Sequence, residues 1–316
     1  MLSLAKLIGF LEILTPLFMA IGVGFAATKY QLVPREGIRY LGLYVINIAL
    51  PCMLFKALAE RSIAEIFQRD YIAIYFFASL ATLLIGIFFS FYIRRKNLAI
   101  STVMAMGSSF SNSAYIGYPI VFQLLGVTTI VPVALTLMVE NAIMLPIALA
   151  IASSTSASST VLRSIRQSIL RVFKNPMIWG IITGICYSAF SLQAPGVILS
   201  VIDMFGNTSG PLALFAIGGS LVGLQINGMK LDITQIALGK LFIHPALMAL
   251  FILASPDMPV VYQQSAILLA CMPMMSIYPI IGAQYGISER CAAALLATTL
   301  LSFLSISFWS ISLNVV

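Results

Sequence analysis

Long apolar stretches separated by short polar ones dominate the pattern of hydrophobic and polar positions along the chain. A membrane-spanning helix needs about 20 mostly apolar residues, and the pattern predicts ten such spans. In chain order they run over 8–28, 38–58, 71–93, 98–124, 128–151, 176–194, 200–226, 233–254, 262–284 and 290–314. We therefore expect an all-α integral membrane protein with ten transmembrane helices.

The composition supports lipid as the solvent of this chain. Its 316 residues are 60% hydrophobic and 9% charged, whereas a soluble domain carries about 25% charged residues. A soluble enzyme, a nucleic-acid-binding protein and a secreted disulfide scaffold are all poor candidates for such a composition. The four cysteines lie singly in apolar stretches, and no histidine–carboxylate spacing suggests zinc. We expect no metal site, no cofactor and no nucleic-acid partner.

Lysine and arginine are divided unequally between the two sets of alternate loops. Twelve lie in one set and four in the other, and Lys240 lies inside a predicted span. Because cytoplasmic loops of membrane proteins are enriched in basic residues, the richer set is expected to be cytoplasmic. Both termini would then face away from the cytoplasm.

The chain matches itself at an offset of 160 residues. Three proline pairs share this offset: Pro16 with Pro176, Pro51 with Pro211, and Pro119 with Pro279. Each copy holds five predicted spans, so the second copy must enter the membrane from the opposite side. Such inverted repeats are typical of secondary transporters, whose substrate site lies near the membrane midplane. The predicted organisation is a first repeat (1–151), a Ser/Thr-rich and basic cytoplasmic linker (152–172) and a second repeat (173–316).

The fourth and ninth spans contain proline, glycine and small polar residues near their centres. Proline inside a helix removes a backbone hydrogen bond, whereas a new half-helix can begin at proline. We expect both spans to be broken around Gly117, Pro119, Pro273 and Pro279. A simple proline kink is the alternative for either span alone. The free N–H groups of a half-helix would attract a small organic anion.

Five segments resemble the auxin efflux carrier family, which includes bacterial malonate- and malate-type carriers. They are NIALPCMLF (47–55), SNSAYIGYP (111–119), ENAIMLP (140–146), KNPMIWG (174–180) and GPLALFAIGGSL (210–221). The resemblance implies ten spans in two inverted five-helix repeats, with broken helices 4 and 9 crossing at the substrate. It also implies organic-anion substrates, a bacterial inner (plasma) membrane location and, often, homodimers.

The resemblance places the family's helix-4 asparagine at Asn112 and its crossover prolines at Pro119 and Pro279. The position that matches Asn112 in the second half is Met272, so the polar contribution of that half is expected from Ser276. The complete set of predicted substrate-binding residues is Ser111, Asn112, Ser113, Tyr115, Asn141, Ser276, Ile277 and Tyr278. For Asn141, a hydrogen bond between helices is the alternative role.

Two charged residues inside predicted spans are candidates for coupling transport to an ion gradient. Charged groups in the membrane interior are costly and usually serve a transport pathway or a proton relay. We expect Glu140 to carry a proton, and Lys240 to pair with Glu140 or attract the anion. A structural hydrogen bond for Glu140 and a side chain reaching toward the cytoplasm for Lys240 are the alternatives.

These features predict a secondary transporter of a small organic anion, a carboxylate or weak acid, that works by alternating access. The coupling ion is expected to be H⁺, or the anion moves with the membrane voltage. A sodium-coupled symporter of bile-acid-carrier-like architecture is one alternative, with Ser108, Ser109, Ser111 and Asn112 as potential sodium ligands. A membrane sensor that binds ligand without transporting it is an alternative from a different class. No enzymatic activity is expected.

Overall fold

The computed structural model describes residues 4–62, 66, 68–154, 170, 173–223, 229–254, 257–313 and 315, with only the backbone described for 4–14. The predicted linker 152–172 lies almost entirely outside these residues. Every regular element within the described residues is a helix. In chain order the helices are α1 (Leu4–Lys29), α2 (Arg35–Ala59), α3 (Arg69–Ile93), α4 (Leu98–Ser109), α5 (113–125), α6 (Val127–Ser153), α7 (Pro176–Ala189), α8 (Gly196–Ser220), α9 (Lys230–Ile252), α10 (Val260–Ala270), α11 (Tyr278–Ala283) and α12 (Ser288–Ser312).

Several of these helices are suited to a membrane. Within the described part of the chain, six are long and apolar enough to cross a bilayer: α2, α3, α6, α8, α9 and α12. Large apolar side chains such as Phe88, Met204 and Leu300 lie exposed on the outer surface, where lipid rather than water would contact them at little cost. An all-helical integral membrane protein is therefore the architecture.

Four prolines inside the long helices follow a π-helical turn. Four such turns (45–49, 113–117, 139–144 and 239–243) each end two residues before a proline: Pro51, Pro119, Pro146 and Pro245. Because the proline ring clashes with the carbonyl four residues earlier, a wider turn relieves the contact. At these four positions the backbone hydrogen bonds shift locally from the α-helical to the π-helical pattern, and the helix continues past the proline. The real interruptions lie at 110–112 and 271–277.

The helices pack in two groups. In the first helix group, formed by α1, α2, α7 and α8, α1 lies along the second half of α8 and α7 lies along the second half of α2. The second helix group contains α3, α4, α6, α9, α10, α11 and α12. Helix α5 contacts both groups. The two interruptions lie where the groups meet.

Close packing in the first helix group depends on glycine. A Cβ atom at Gly24 would lie 2.0 Å from the carbonyl oxygen of Phe215, and one at Gly184 would lie 2.8 Å from the carbonyl oxygen of Phe55. Both contacts pair a glycine with the backbone of the neighbouring helix. Small residues that let helix backbones approach closely are typical of membrane proteins.

This packing gives a direct stability prediction. Gly24→Ala is expected to lower the free energy of unfolding by about 1–3 kcal/mol or more, because the Phe215 backbone must move away from the new methyl group. Gly22→Ala is the matched control, since nothing lies within 4 Å of a Cβ at Gly22. That change should be neutral or stabilising by up to about 1 kcal/mol. Thermal unfolding of the two purified variants in detergent checks the difference, and equal unfolding temperatures would contradict this account.

Candidate functional site

The two chain interruptions are joined directly by hydrogen bonds. The first separates α4 from α5, and the second separates α10 from α11. The backbone N–H of Asn112 donates to the carbonyl oxygen of Pro273 at 2.7 Å. The Asn112 side-chain amide donates from Nδ2 to Ser276 Oγ at 2.8 Å. We call this contact between the interrupted segments the crossing.

Asn112 is also the N-cap of α5. Its Oδ1 accepts the backbone N–H of Tyr115 at 3.3 Å, and its carbonyl oxygen accepts the N–H groups of Ile116 and Gly117. Asparagine is among the preferred N-cap residues, because its side-chain oxygen satisfies a backbone donor that the helix leaves open. One buried side chain therefore starts α5 and contacts the second half of the chain.

The predicted interruption residues have different positions. Pro273 lies within the second interruption and accepts the Asn112 N–H. Pro279 lies in the first turn of α11, where a half-helix was expected to begin. Pro119 does not start a helix, because Asn112 already caps α5 and Pro119 follows its π-helical turn. Gly117 lets α10 approach, since a Cβ there would lie 2.7 Å from Leu269 Cδ2.

The side chain of Glu140, a residue of α6, lies at the beginning of α5. Its Oε1 accepts the backbone N–H of Ser111 at 3.1 Å and the hydroxyl of Tyr75 at 3.0 Å, and its Oε2 accepts the Ser113 hydroxyl at 2.9 Å. A carboxylate at a helix N-terminus is favourable because of the partial positive charge there. In the structure a carboxylate of the protein meets the attraction for an anion that is predicted at the start of this half-helix, and substrate binding there stays a prediction.

Lys240 has the complementary position at the end of α10. Its Nζ donates to the carbonyl oxygen of Ala270, the last residue of α10, at 2.9 Å. It also contacts Ser111 Oγ at 2.6 Å and His244 Nδ1 at 2.9 Å. A cation at a helix C-terminus is stabilised by the partial negative charge there. Three acceptors match the three donors of a lysine ammonium.

His244 continues this network toward α3. Because a lysine ammonium can only donate, His244 Nδ1 accepts and the ring proton lies on Nε2. That nitrogen lies 3.0 Å from Ser79 Oγ and donates to it. The chain Lys240–His244–Ser79 is fully buried, and it joins α9 to α3 behind the crossing.

Glu140 and Lys240 lie on the two sides of Ser111. Glu140 accepts its backbone N–H, and Lys240 donates to its hydroxyl oxygen. Glu140 is 2% exposed and Lys240 is 0% exposed, and neither lines a described cavity. Their charges are therefore buried in the helix packing around Ser111, outside both of these linings.

A cavity of about 600 Å³ reaches the crossing at Tyr115 and Ser276, and Glu140 and Lys240 are not part of its lining. It is lined by α2 and α8, with Arg35 and Arg39 at its mouth and Tyr115 and Ser276 at the crossing. The Tyr115 hydroxyl donates to the carbonyl oxygen of Gly42 at 2.8 Å, which joins α5 to α2. We call this space the arginine-lined cavity. It is large enough for a small organic molecule.

A second, smaller cavity of about 240 Å³ contains Tyr118 and residues from the far end of α2. Its charged lining is mixed: Lys56, Arg61, Glu60 and Asp203. Lys56 forms an ion pair with Asp203 across α2 and α8. This cavity lies at the opposite end of α2 from Arg35 and Arg39.

The other predicted substrate residues lie outside the arginine-lined cavity. Tyr278 is 1% exposed, and its hydroxyl packs against Gly107, where a Cβ would lie 2.6 Å away. Ser111 and Ser113 hold the buried charges as described. Asn141 donates to the Leu137 carbonyl oxygen within α6 at 2.9 Å. Ile277 is 39% exposed but is not part of the cavity lining.

Sequence reasoning missed two features of this region. Arg35 and Arg39 are two of the twelve basic residues that predict the orientation, and a spacing of four residues also places both on one helix face. Tyr75 and Ser79 were not considered, although the same spacing brings them to Glu140 and His244. In both cases, helical spacing of polar groups within or beside an apolar span was the available signal.

Comparison with known proteins agrees with this architecture. The chain matches the family described as "Membrane transport protein" over residues 10–310. It therefore belongs to the auxin efflux carrier family of membrane transport proteins. It is 28% identical over 294 residues to the "Putative malonate transporter" of Rhizobium meliloti (strain 1021), an alignment that covers 92% of each chain. It is 21% identical over 300 residues to the "Uncharacterized transporter YfdV" of Escherichia coli (strain K12), which covers 93% of this chain and 94% of the relative. The family and these relatives are transporters rather than enzymes.

Proposed function

We propose that this member of the auxin efflux carrier family is a secondary transporter of a small organic carboxylate that works by alternating access. The observation that carries the proposal is the arginine-lined cavity, which ends at the crossing and whose lining, among the described residues, has basic but no acidic side chains. A cavity with one sign of charge concentrates ligands of the opposite sign. The family membership supports transport as the outcome of binding.

We further propose ten spans in two inverted repeats, with α4 and α5 forming the fourth span and α10 and α11 forming the ninth. Two glycine contacts in the first helix group support this arrangement. Gly24 in the first repeat contacts Phe215 in the second, and Gly184 in the second contacts Phe55 in the first. Gly184 lies 160 residues after Gly24, and Phe215 lies 160 residues after Phe55. The same helix contact is thus made twice, with the roles of the two halves exchanged. The proposed repeat boundaries remain 1–151 and 173–316.

The proposed carboxylate site is the Ser276 hydroxyl, supported by Asn112 and Tyr115. Since Ser276 Oγ accepts from Asn112 Nδ2, its own proton is available to donate into the cavity. A substrate carboxylate oxygen is the natural acceptor for such a proton. The name of the Rhizobium meliloti relative suggests malonate as the first substrate to test.

Transport requires the site to open alternately to the two sides of the membrane. We propose that the second helix group and the crossing move against the first helix group. The hydrogen bond from Tyr115 to Gly42 joins the moving parts and would break in each cycle. With the orientation proposed from the basic residues, the arginine-lined cavity opens to the cytoplasm of a bacterial cell. An inner-membrane location and a homodimer are proposed from the family resemblance.

The proposed coupling is to protons or to membrane voltage rather than to sodium. Among the oxygens considered as sodium ligands, Ser111 Oγ lies 2.6 Å from Lys240 Nζ. A sodium ion bound there would bring a second positive charge into a buried site, which is costly. Glu140, on the other side of Ser111, is the proposed proton-carrying group.

Flux measurements in proteoliposomes test this function. We expect saturable uptake of radiolabelled malonate, stimulated several-fold by an imposed pH gradient or by a potassium-diffusion potential, and unchanged by a sodium gradient. Malate and an aromatic acetate serve as comparison substrates, and empty liposomes as the control. Uptake driven only by sodium would favour the sodium-coupled alternative. Saturable binding with no flux under any gradient would instead favour a membrane sensor.

A further inference from the structure

In the part of the chain that the structure describes, Arg35 and Arg39 are the charged residues that line the arginine-lined cavity. Arg35, Arg39, Gly42 and Ile46 recur at intervals of four, three and four residues along α2, so one helix face lines the cavity. The acidic neighbour Glu36 is not part of this lining. The smaller cavity differs, since its basic residues are accompanied by Glu60 and Asp203.

The two arginines have different surroundings. Arg35 packs against the turn after α8, because a Cβ at Gly223 would lie 2.4 Å from its Nη2. Arg39 lies one helical turn deeper, and no ion pair or hydrogen bond to its guanidinium occurs among the described residues. It precedes Gly42 by three residues, which is about 4.5 Å along the helix axis. The Gly42 carbonyl oxygen is the acceptor of the Tyr115 hydroxyl, so Arg39 lies one turn above the crossing.

We propose that Arg39 binds the second carboxylate of a dicarboxylate substrate whose first carboxylate lies at Ser276. This inference rests on the proposed function and specifies its substrate class as small dianions. A guanidinium suits the role because its planar donors bind a carboxylate through two parallel hydrogen bonds. The substrate then lies between Arg39 on the first helix group and Ser276 at the crossing, both of which line the cavity.

Membrane orientation alone does not explain the position of Arg39. A basic residue that only fixes orientation can lie anywhere in a cytoplasmic loop, as the exposed Arg95 does. Arg39 instead lies on the cavity-lining face of α2. Arg95→Gln removes the same charge from the same side of the membrane, outside the cavity, and is therefore the matched control.

The test compares malonate with malonamate, in which an amide replaces one carboxylate, as substrates of the purified full-length protein in liposomes. In Arg39→Gln we expect the KM for malonate to rise about 10-fold or more, the scale of a lost hydrogen bond to a charged group. The KM for malonamate should change less than about two-fold, because that compound lacks the second charge. Arg39→Lys should fall between wild type and Arg39→Gln, and Arg95→Gln should match wild type.

The possible outcomes separate this inference from the proposed function. Equal KM changes for both compounds in Arg39→Gln, or no change for either, would overturn the role of Arg39 while transport stands. Wild-type flux of an aromatic acetate but not of malonate would overturn the dicarboxylate class alone. No flux of any anion by the wild-type protein would overturn the proposed function itself.

Discussion

Glu140→Gln is expected to destabilise the folded protein by about 3–5 kcal/mol, the cost of leaving a buried charge without its partner. The variant keeps the size of the side chain and an oxygen that can accept the Ser111 N–H. It removes the negative charge nearest to the Lys240 ammonium, which lies on the other side of Ser111 and is 0% exposed. The effect is therefore electrostatic rather than steric.

Lys240→Met should have an effect of similar size for the opposite reason. It leaves the Glu140 carboxylate buried without a counter-charge, and it leaves the Ala270 carbonyl oxygen at the end of α10 without the ammonium donor. Buried polar groups that lose their partners cost about 1–3 kcal/mol each. Together these losses should open the crossing at the α10 end.

The double variant Glu140→Gln/Lys240→Met separates the charge pair from other effects. Replacing both members of a buried ion pair is often close to neutral, so the double variant should be more stable than either single one. Thermal unfolding in detergent measures all three, with Glu36→Gln as the control for loss of an exposed carboxylate. Additive destabilisation in the double variant would show that the two charges do not interact.

The positions of the helices could be predicted well from the sequence, since apolar length is the dominant signal in a membrane. The sixth predicted span, 176–194, corresponds to α7 at Pro176–Ala189, and the ninth, 262–284, to α10 and α11. The position of the first interruption could not be predicted from proline alone. Proline follows a π-helical turn in four helices without interrupting any of them. The first interruption lies instead at residues 110–112, just before Ser113.

The partners of the buried polar groups were harder to predict. Lys240 and Ser111 are 129 residues apart, and no local pattern specifies that they meet. Helix-terminus electrostatics correctly indicates that α5 begins with an attraction for negative charge. It does not indicate whether a substrate or Glu140 supplies that charge. Tyr278 shows the same limit, because its type and position suggested a pocket residue although it packs against Gly107.

Asn112→Ala is expected to reduce carboxylate flux by about 10- to 100-fold, the scale of one or two lost hydrogen bonds to a charged ligand. The change removes the Nδ2 donor that fixes Ser276 Oγ, so the hydroxyl is no longer oriented toward the cavity. It also removes the cap on the Tyr115 N–H, which costs about 1 kcal/mol of stability. The backbone bond from residue 112 to Pro273 remains, so the crossing should still form.

Asn112→Asp distinguishes the two roles of this side chain. Aspartate keeps an oxygen for the Tyr115 N–H and remains a good N-cap, but it lacks the Nδ2 donor and adds a negative charge beside the proposed carboxylate site. Flux should therefore fall at least as far as in Asn112→Ala, while the capping contribution to stability is retained. Asn141→Ala is the matched control, since among the described residues its amide donates to the Leu137 carbonyl oxygen within α6. Its flux should stay within about two-fold of wild type. Normal flux in Asn112→Asp would show that Asn112 acts only as a helix cap and that the substrate binds away from the crossing. A fixed negative charge at residue 112 would repel an anion bound beside it.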